Sequence, residues 1–303
     1  MVAPLMTRAV GDAIRAAFLA LLIVALGLTG WAASACPGFV NPTPAGVLLD
    51  DRITEVSGIA AGWRNPEVLW IHEDSGAPPE VYAVSLDGTL LARCTLTGIT
   101  PIDCEDIAVG PGQEPDESYV YLADIGDNGM RRKMISIYRF PEPQIDAEWS
   151  EESLLIDKVE RFDLVYPDRP HDAETLLVDP SSGDIYVITK WDPRSRIYRA
   201  ELNDPDGPIT LEYVGDLPFA GATGGDISPD GRWIIIRTYF SAYIWHRDPG
   251  ISIAEVIQSD GCPVPLAQEP QGEAICFVHS AESYVTISEG LHPVLYLATR
   301  TPE

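Results

Sequence analysis

The chain has 303 residues, with 46 acidic side chains against 20 basic ones and a formal charge of −26. So large an excess of carboxylate repels polyanions, which excludes nucleic acid and anionic lipid headgroups as partners. It suits a cationic ligand, a cationic protein partner, or solubility outside the cell.

Residues 1–35 read as a secretory signal. Arg8 and Arg15 supply a positive start, "AAFLALLIVALGLTGWAA" (16–33) an apolar stretch, and "ASA" (33–35) small residues for cleavage before Cys36. The apolar run is also long enough for an uncleaved anchor. "ASAC" (33–36) resembles a bacterial lipobox with Ala33 where Leu is usual, so Cys36 is a candidate lipid acceptor. The protein is therefore expected to be exported, either secreted or attached to the outer face of the cell membrane. Its membrane connection would be a signal anchor or a lipidated Cys36. Residues 36–45 read as a short linker and 46–303 as one domain, expected to be a monomer.

Within that domain one motif recurs five times. "EVSGIA" (55–60), "DCEDIA" (103–108), "DAETLL" (172–177), "TGGDIS" (223–228) and "QGEAIC" (271–276) align without gaps on an Ile or Leu. Each is followed by a second strand rich in β-branched and aromatic residues: 68–74, 119–125, 184–190, 232–239 and 283–289. Turns such as "DPSSGD" (179–184) and "SPDGR" (228–232) carry hairpin chemistry. Third strands, most with a tyrosine, fall at 81–86, 135–140, 196–202, 242–247 and 294–299, and fourth strands at 90–96, 158–166, 209–215 and 252–258.

The fifth unit lacks a fourth strand, while "GVLLDDRI" (46–53) is an unassigned strand near the start. Joining the two gives an all-β chain folded as a β-propeller: five four-stranded blades, closed by an N-terminal strand. A sixth blade within 129–172 is the alternative count. A β-sandwich would account for the strands but not for the recurrence.

With Cys36 set aside, Cys94, Cys104, Cys262 and Cys276 form an even set in an exported chain and imply two disulfides. Three connectivities exist; local pairing, Cys94–Cys104 and Cys262–Cys276, is preferred. None has the spacing of a zinc site.

In a propeller the starts of first strands and the ends of second strands meet on one rim. Glu105, Glu174 and Glu273 share a column of the motif, completed by Ser57 and Gly225, and Asp106 and Asp226 share the next. Like charges this close need protonation, basic partners or a cation. A hard cation with many oxygen ligands, Ca²⁺, suits such a ring, and Glu105, Glu174, Asp226 and Glu273 are its candidate ligands. The competing reading is structural, with the acids accepting amide hydrogens from the neighbouring blade. Strand ends add Asp74, Asp124, Asp127, Asn128, Lys190, Arg237 and Glu289 as candidate ligand contacts. His72 and Glu105 are the candidate acid–base pair. No nucleophile elbow, HExxH, P-loop or dinucleotide fingerprint occurs.

"SGIA…LWIHEDSG", "CEDIAVGPG…VYLADIGDN…IYRFPEP", "AETLLVDPSSGDIYVITK" and "GGDISPDGR" resemble a family of exported bacterial β-propellers of largely unassigned function. More distantly the layout is similar to phytase-like and gluconolactonase-like calcium propellers. That resemblance implies calcium held by acids of the inner strands. The expected function is an extracytoplasmic binding or scaffold protein for a small ligand or a protein partner. The alternative is a calcium-dependent hydrolase, with His72 or a rim carboxylate as base.

Overall fold

A computed structural model describes residues 36–114, 116–203, 206–278 and 280–302. The expected signal segment, 1–35, lies outside the described residues.

The first strand, β1 (Thr43–Val47), belongs to the last sheet. Blade 1 is β2 (Val56–Ala61), β3 (Leu69–Glu73), β4 (Glu80–Val84) and β5 (Leu90–Leu96). Blade 2 is β6 (Cys104–Pro111), β7 (Ser118–Asp124), β8 (Ile135–Pro141) and β10 (Glu160–Val165). Between the last two, β9 (Glu152–Ile156) crosses back and pairs parallel to β5. Blade 3 is β11 (Ala173–Val178), β12 (Ile185–Thr189), β13 (Arg196–Ala200) and β15 (Glu212–Asp216), with the short β14 (Ile209–Thr210) parallel to β10. Blade 4 is β16 (Gly224–Ile227), β17 (Trp233–Arg237), β18 (Ala242–His246) and β19 (Cys262–Val264). Blade 5 is β20 (Gly272–Val278), β21 (Ser283–Ser288) and β22 (Val294–Thr299), completed by β1 antiparallel to β22.

The inner strands touch in a closed cycle: β2 meets β6, β6 meets β11, β11 meets β16, β16 meets β20, and β20 returns to β2. This is the expected five-bladed propeller. Five apolar clusters fill the five spaces between adjacent blades. The alternation of each strand therefore serves two interfaces, one per face. Residues 129–172 supply β8, β9 and β10, leaving no room for a sixth blade.

Four expectations are corrected in detail. The closing strand is Thr43–Val47 rather than 46–53, because Leu48 and Ile53 are wholly buried in the core between blades 5 and 1. Residues 252–258 form a helix, α1 (Ile253–Ile257), not a strand. Ser252 caps it by accepting the Glu255 amide, and Ile253, Ala254 and Ile257 bury one helical face. The outer strand of blade 4 is instead β19. Finally, the local disulfides do not form. Cys36 and Cys262 are disulfide-bonded, while Cys94, Cys104 and Cys276 are free and buried. A sulfur in a disulfide cannot also carry a thioether lipid, so the two fates of Cys36 exclude each other. Among the described residues no helix is long and apolar enough to cross a membrane.

Candidate functional site: an acidic rim built on β-bulges

The ladder between first and second strands skips one residue in four of the five blades. The skip falls between Val56 and Gly58, Cys104 and Asp106, Ala173 and Thr175, and Gly272 and Ala274. The residues passed over are Ser57, Glu105, Glu174 and Glu273, the first column of the sequence motif. In blade 4 the pairing through Gly225 is unbroken. A bulge re-aims a side chain, and here it is the glutamates that are re-aimed, since Asp226 of the unbulged blade 4 is bonded just as Asp106 is.

The second column is structural. Asp106 is completely enclosed and accepts the Leu176 amide of blade 3 at 2.8 Å and the Ile107 amide at 2.9 Å. Asp226 does the same one step on, accepting the Phe277 amide of blade 5 and the Ile227 amide, both at 2.8 Å. Asp226, expected beside the glutamates as a metal ligand, is thus turned away from them. Burial pushes its carboxyl up to about 7.

The glutamates and their neighbours divide the rim into two halves. Around blades 3 to 5, Lys190 donates to Glu174 Oε1 and, at 2.7 Å, to Tyr239. Tyr239 donates to Glu273 Oε1 at 2.7 Å, and Lys190 lies 3.9 Å from the same oxygen. Burial works against the Lys190 ammonium, but Glu174 and Tyr239 outweigh it and hold it protonated. Glu174 Oε2 is buried with no hydrogen-bond partner. Burial also raises Glu289, helped by Glu273 and Asp74.

In the half around blades 1 and 2 the cation, Arg132, is paired with Asp124 at 2.7 Å and reaches Asp103 only through space. Carboxylate oxygens of Asp74, Asp103 and Glu105 lie within 4.8 Å of one another. None of the three is in an ion pair among the described residues. Burial, then Glu174, Asp74 and Asp103, drives the Glu105 carboxyl far above the ordinary range. Burial and Asp74 push Asp103 up to about 6, and burial raises Asp74. Gly126 makes this crowding possible, because any Cβ there would overlap Glu105 Oε1 and the Asp103 carboxylate.

Other expected contacts are placed elsewhere. The His72 ring is enclosed between blades, with Nδ1 2.9 Å from the Glu73 carbonyl oxygen and Nε2 lodged in the space left by Gly58. Burial pushes its imidazole down to about 4. Its Nε2 is buried with no hydrogen-bond partner, so no hydrogen bond joins His72 to Glu105. Arg237 is wholly buried, 2.9 Å from Glu269 and donating to the Ala274 carbonyl at 3.0 Å. Asp124 accepts the amides of Ile102 and Asp103 and pairs with Arg132 at 2.7 Å, which fixes the entry to β6. Asp127 accepts the Arg132 amide and donates its own amide to Asp172, while Asn128 is exposed. His171 is fully buried between Asp192 at 2.8 Å and Tyr198 at 2.8 Å, a satisfied core histidine. Tyr239 and Gly126 are the members that sequence reasoning missed. Tyr239 falls at the end of the expected second strand 232–239 and reads as core there, although β17 ends at Arg237, and a glycine in a polar turn reads as turn chemistry.

Together these observations define a five-bladed β-propeller with a carboxylate-lined rim on one face. No family model matches the chain, and no curated protein matches it. Among solved structures it is similar to a protein of Bacteroides thetaiotaomicron VPI-5482 described as a "Putative phosphatase", at 10% identity and a TM-score of 0.47. That likeness covers 88% of this chain and 79% of that one. A likeness at this level carries no information about activity.

Proposed function

We propose that the protein is an extracytoplasmic binding protein whose rim holds a hard divalent cation, Ca²⁺, between Asp74, Asp103 and Glu105. The observation that carries this reading is the imbalance of the rim: three converging carboxylates in contact with no cation, the nearby Arg132 being taken up by Asp124, beside a half in which Lys190 contacts Glu174. The donor set is all oxygen, which matches a hard cation. The unpartnered Glu174 Oε2 adds a further acceptor in the same cluster. A disulfide supports folding in an oxidising compartment. Bound cation would supply positive charge for an oxygen-bearing ligand, while the protein's own residues orient the carboxylates and exclude bulk water. Binding ranks above hydrolysis because His72, expected as the base, is buried and makes no hydrogen bond to the trio.

The test is thermal melting with chelator and with excess Ca²⁺. Calcium at a hundred times its dissociation constant would stabilise the fold by about 2.7 kcal/mol, and Glu105→Gln would remove that shift. A melt indifferent to both additions overturns the reading.

A further inference from the structure

The loops on the rim face carry the most exposed aromatic side chain among the described residues. Phe240 is 94% exposed and Trp191 59%. They sit in the connections between second and third strands of blades 4 and 3, the same class of loop that ends at the acidic rim. Neither is on a loose tip. The Phe240 turn is closed by Thr238, which accepts the amides of Phe240 at 3.2 Å and Ser241 at 3.0 Å. Trp191 follows Lys190 and precedes Asp192, which is held by His171 and Arg169. Lys190 Nζ lies 5.0 Å from the Trp191 ring and 4.9 Å from the Tyr239 ring, and Tyr239 adjoins Phe240 at 6.2 Å. An aromatic edge therefore runs continuously along blades 3 and 4.

Across the rim the edge is acidic. Glu55 is exposed and Glu289 half-buried, and their loops are joined where the Gly290 amide donates to the Thr54 carbonyl at 2.7 Å. Neither glutamate is in an ion pair among the described residues. Apolar side chains at Ile102 and Leu291 extend the collar on this side. Aromatic faces and carboxylates both attract cations, and the chain's charge of −26 repels anionic surfaces.

We infer that this face docks a cationic polypeptide segment of another protein. Its apolar side chains would lie on Trp191 and Phe240, and a neighbouring lysine or arginine would reach Glu55 and Glu289. This deepens the proposed binding role and rests on the rim being a receptor for positive charge. It does not require the calcium trio itself.

The experiment is calorimetric titration of the protein with a capped eight-residue peptide alternating lysine and leucine. A glutamate–leucine counterpart and phosphatidylcholine vesicles are the comparison arms, each run in chelator and in Ca²⁺. The lysine peptide alone should bind, more weakly at high salt. Phe240→Ala and Trp191→Ala should each lower its affinity about fivefold, and the Glu55→Gln/Glu289→Gln double variant about tenfold, with melting temperatures unchanged. Equal binding of the acidic peptide, capture of vesicles instead, or indifference to all these variants overturns the inference. Failure of the calcium reading appears separately, as an unchanged melt, and leaves the chelator arm readable.

Discussion

Glu142 and Glu105 are both almost completely buried at the interface of blades 1 and 2, but at opposite ends of the propeller. Glu142 accepts from the amides of Trp63 and Arg64, from Asn65 Nδ2 at 2.7 Å and from Ser118 Oγ at 2.6 Å. Glu105 is surrounded by Asp74, Asp103, Glu174 and Glu273. The same residue type at the same depth is a finished anchor at one end and an acid without a compensating partner at the other. Fold stability explains the first and gives no reason for the second, and that difference is what supports the rim as the proposed site.

The widest split should come from substituting each glutamate. Glu142→Ala would strand several buried donors and cost about 3–5 kcal/mol in urea unfolding. Glu105→Gln, measured in chelator, should change stability by less than about 1 kcal/mol, since it mimics the protonated acid. Equal losses at both ends would erase the contrast. Next, Lys190→Met would leave Glu174 and Glu273 without their cation, at a cost of about 3 kcal/mol, and adding Glu174→Gln should recover part of it. A double variant no better than the single one would show that Lys190 acts through packing alone.

The last contrast is the pH dependence of stability. Asp103 and Asp226 are raised to about 6 and about 7, so the folded state holds protons that the unfolded chain releases in the ordinary carboxylate range. Their stabilising contribution is complete below that range and is lost as pH rises through 6 to 7. Melting temperature in chelator should therefore fall between pH 5 and pH 8, and Ca²⁺ should flatten the fall. A rise across that window would contradict the burial of these acids.

The radial architecture was legible because each blade repeats its inner motif, and periodic copies leave few alternative topologies. The convergence of Glu105, Glu174 and Glu273 followed from the same alignment. Their separation from Asp106 and Asp226 was anticipated by alternation, but the bulges at Glu105, Glu174 and Glu273 leave no composition signal, being one extra residue in an otherwise ordinary strand. The helix at Ile253–Ile257 had a signal that strand-like isoleucines masked: Ser252 followed three residues later by Glu255, a capping pattern. The cysteine pairing was unreadable because Cys36 was reserved for another chemistry. His72 looked catalytic from its place beside two acids, yet Gly58 opens a space between blades that draws the ring inward.

Completion of blade 5 by β1 sets the order in which this chain finishes folding. Thr43 must pair with Leu297, so the ring cannot shut until the chain has been made as far as β22. Blade 1 likewise waits for β9, made only after three strands of blade 2. Loop closure over such separations is slow, and until it happens β22 offers an unpaired edge to any passing strand. Premature termination anywhere before Val294 would therefore yield an aggregation-prone remnant rather than a smaller propeller.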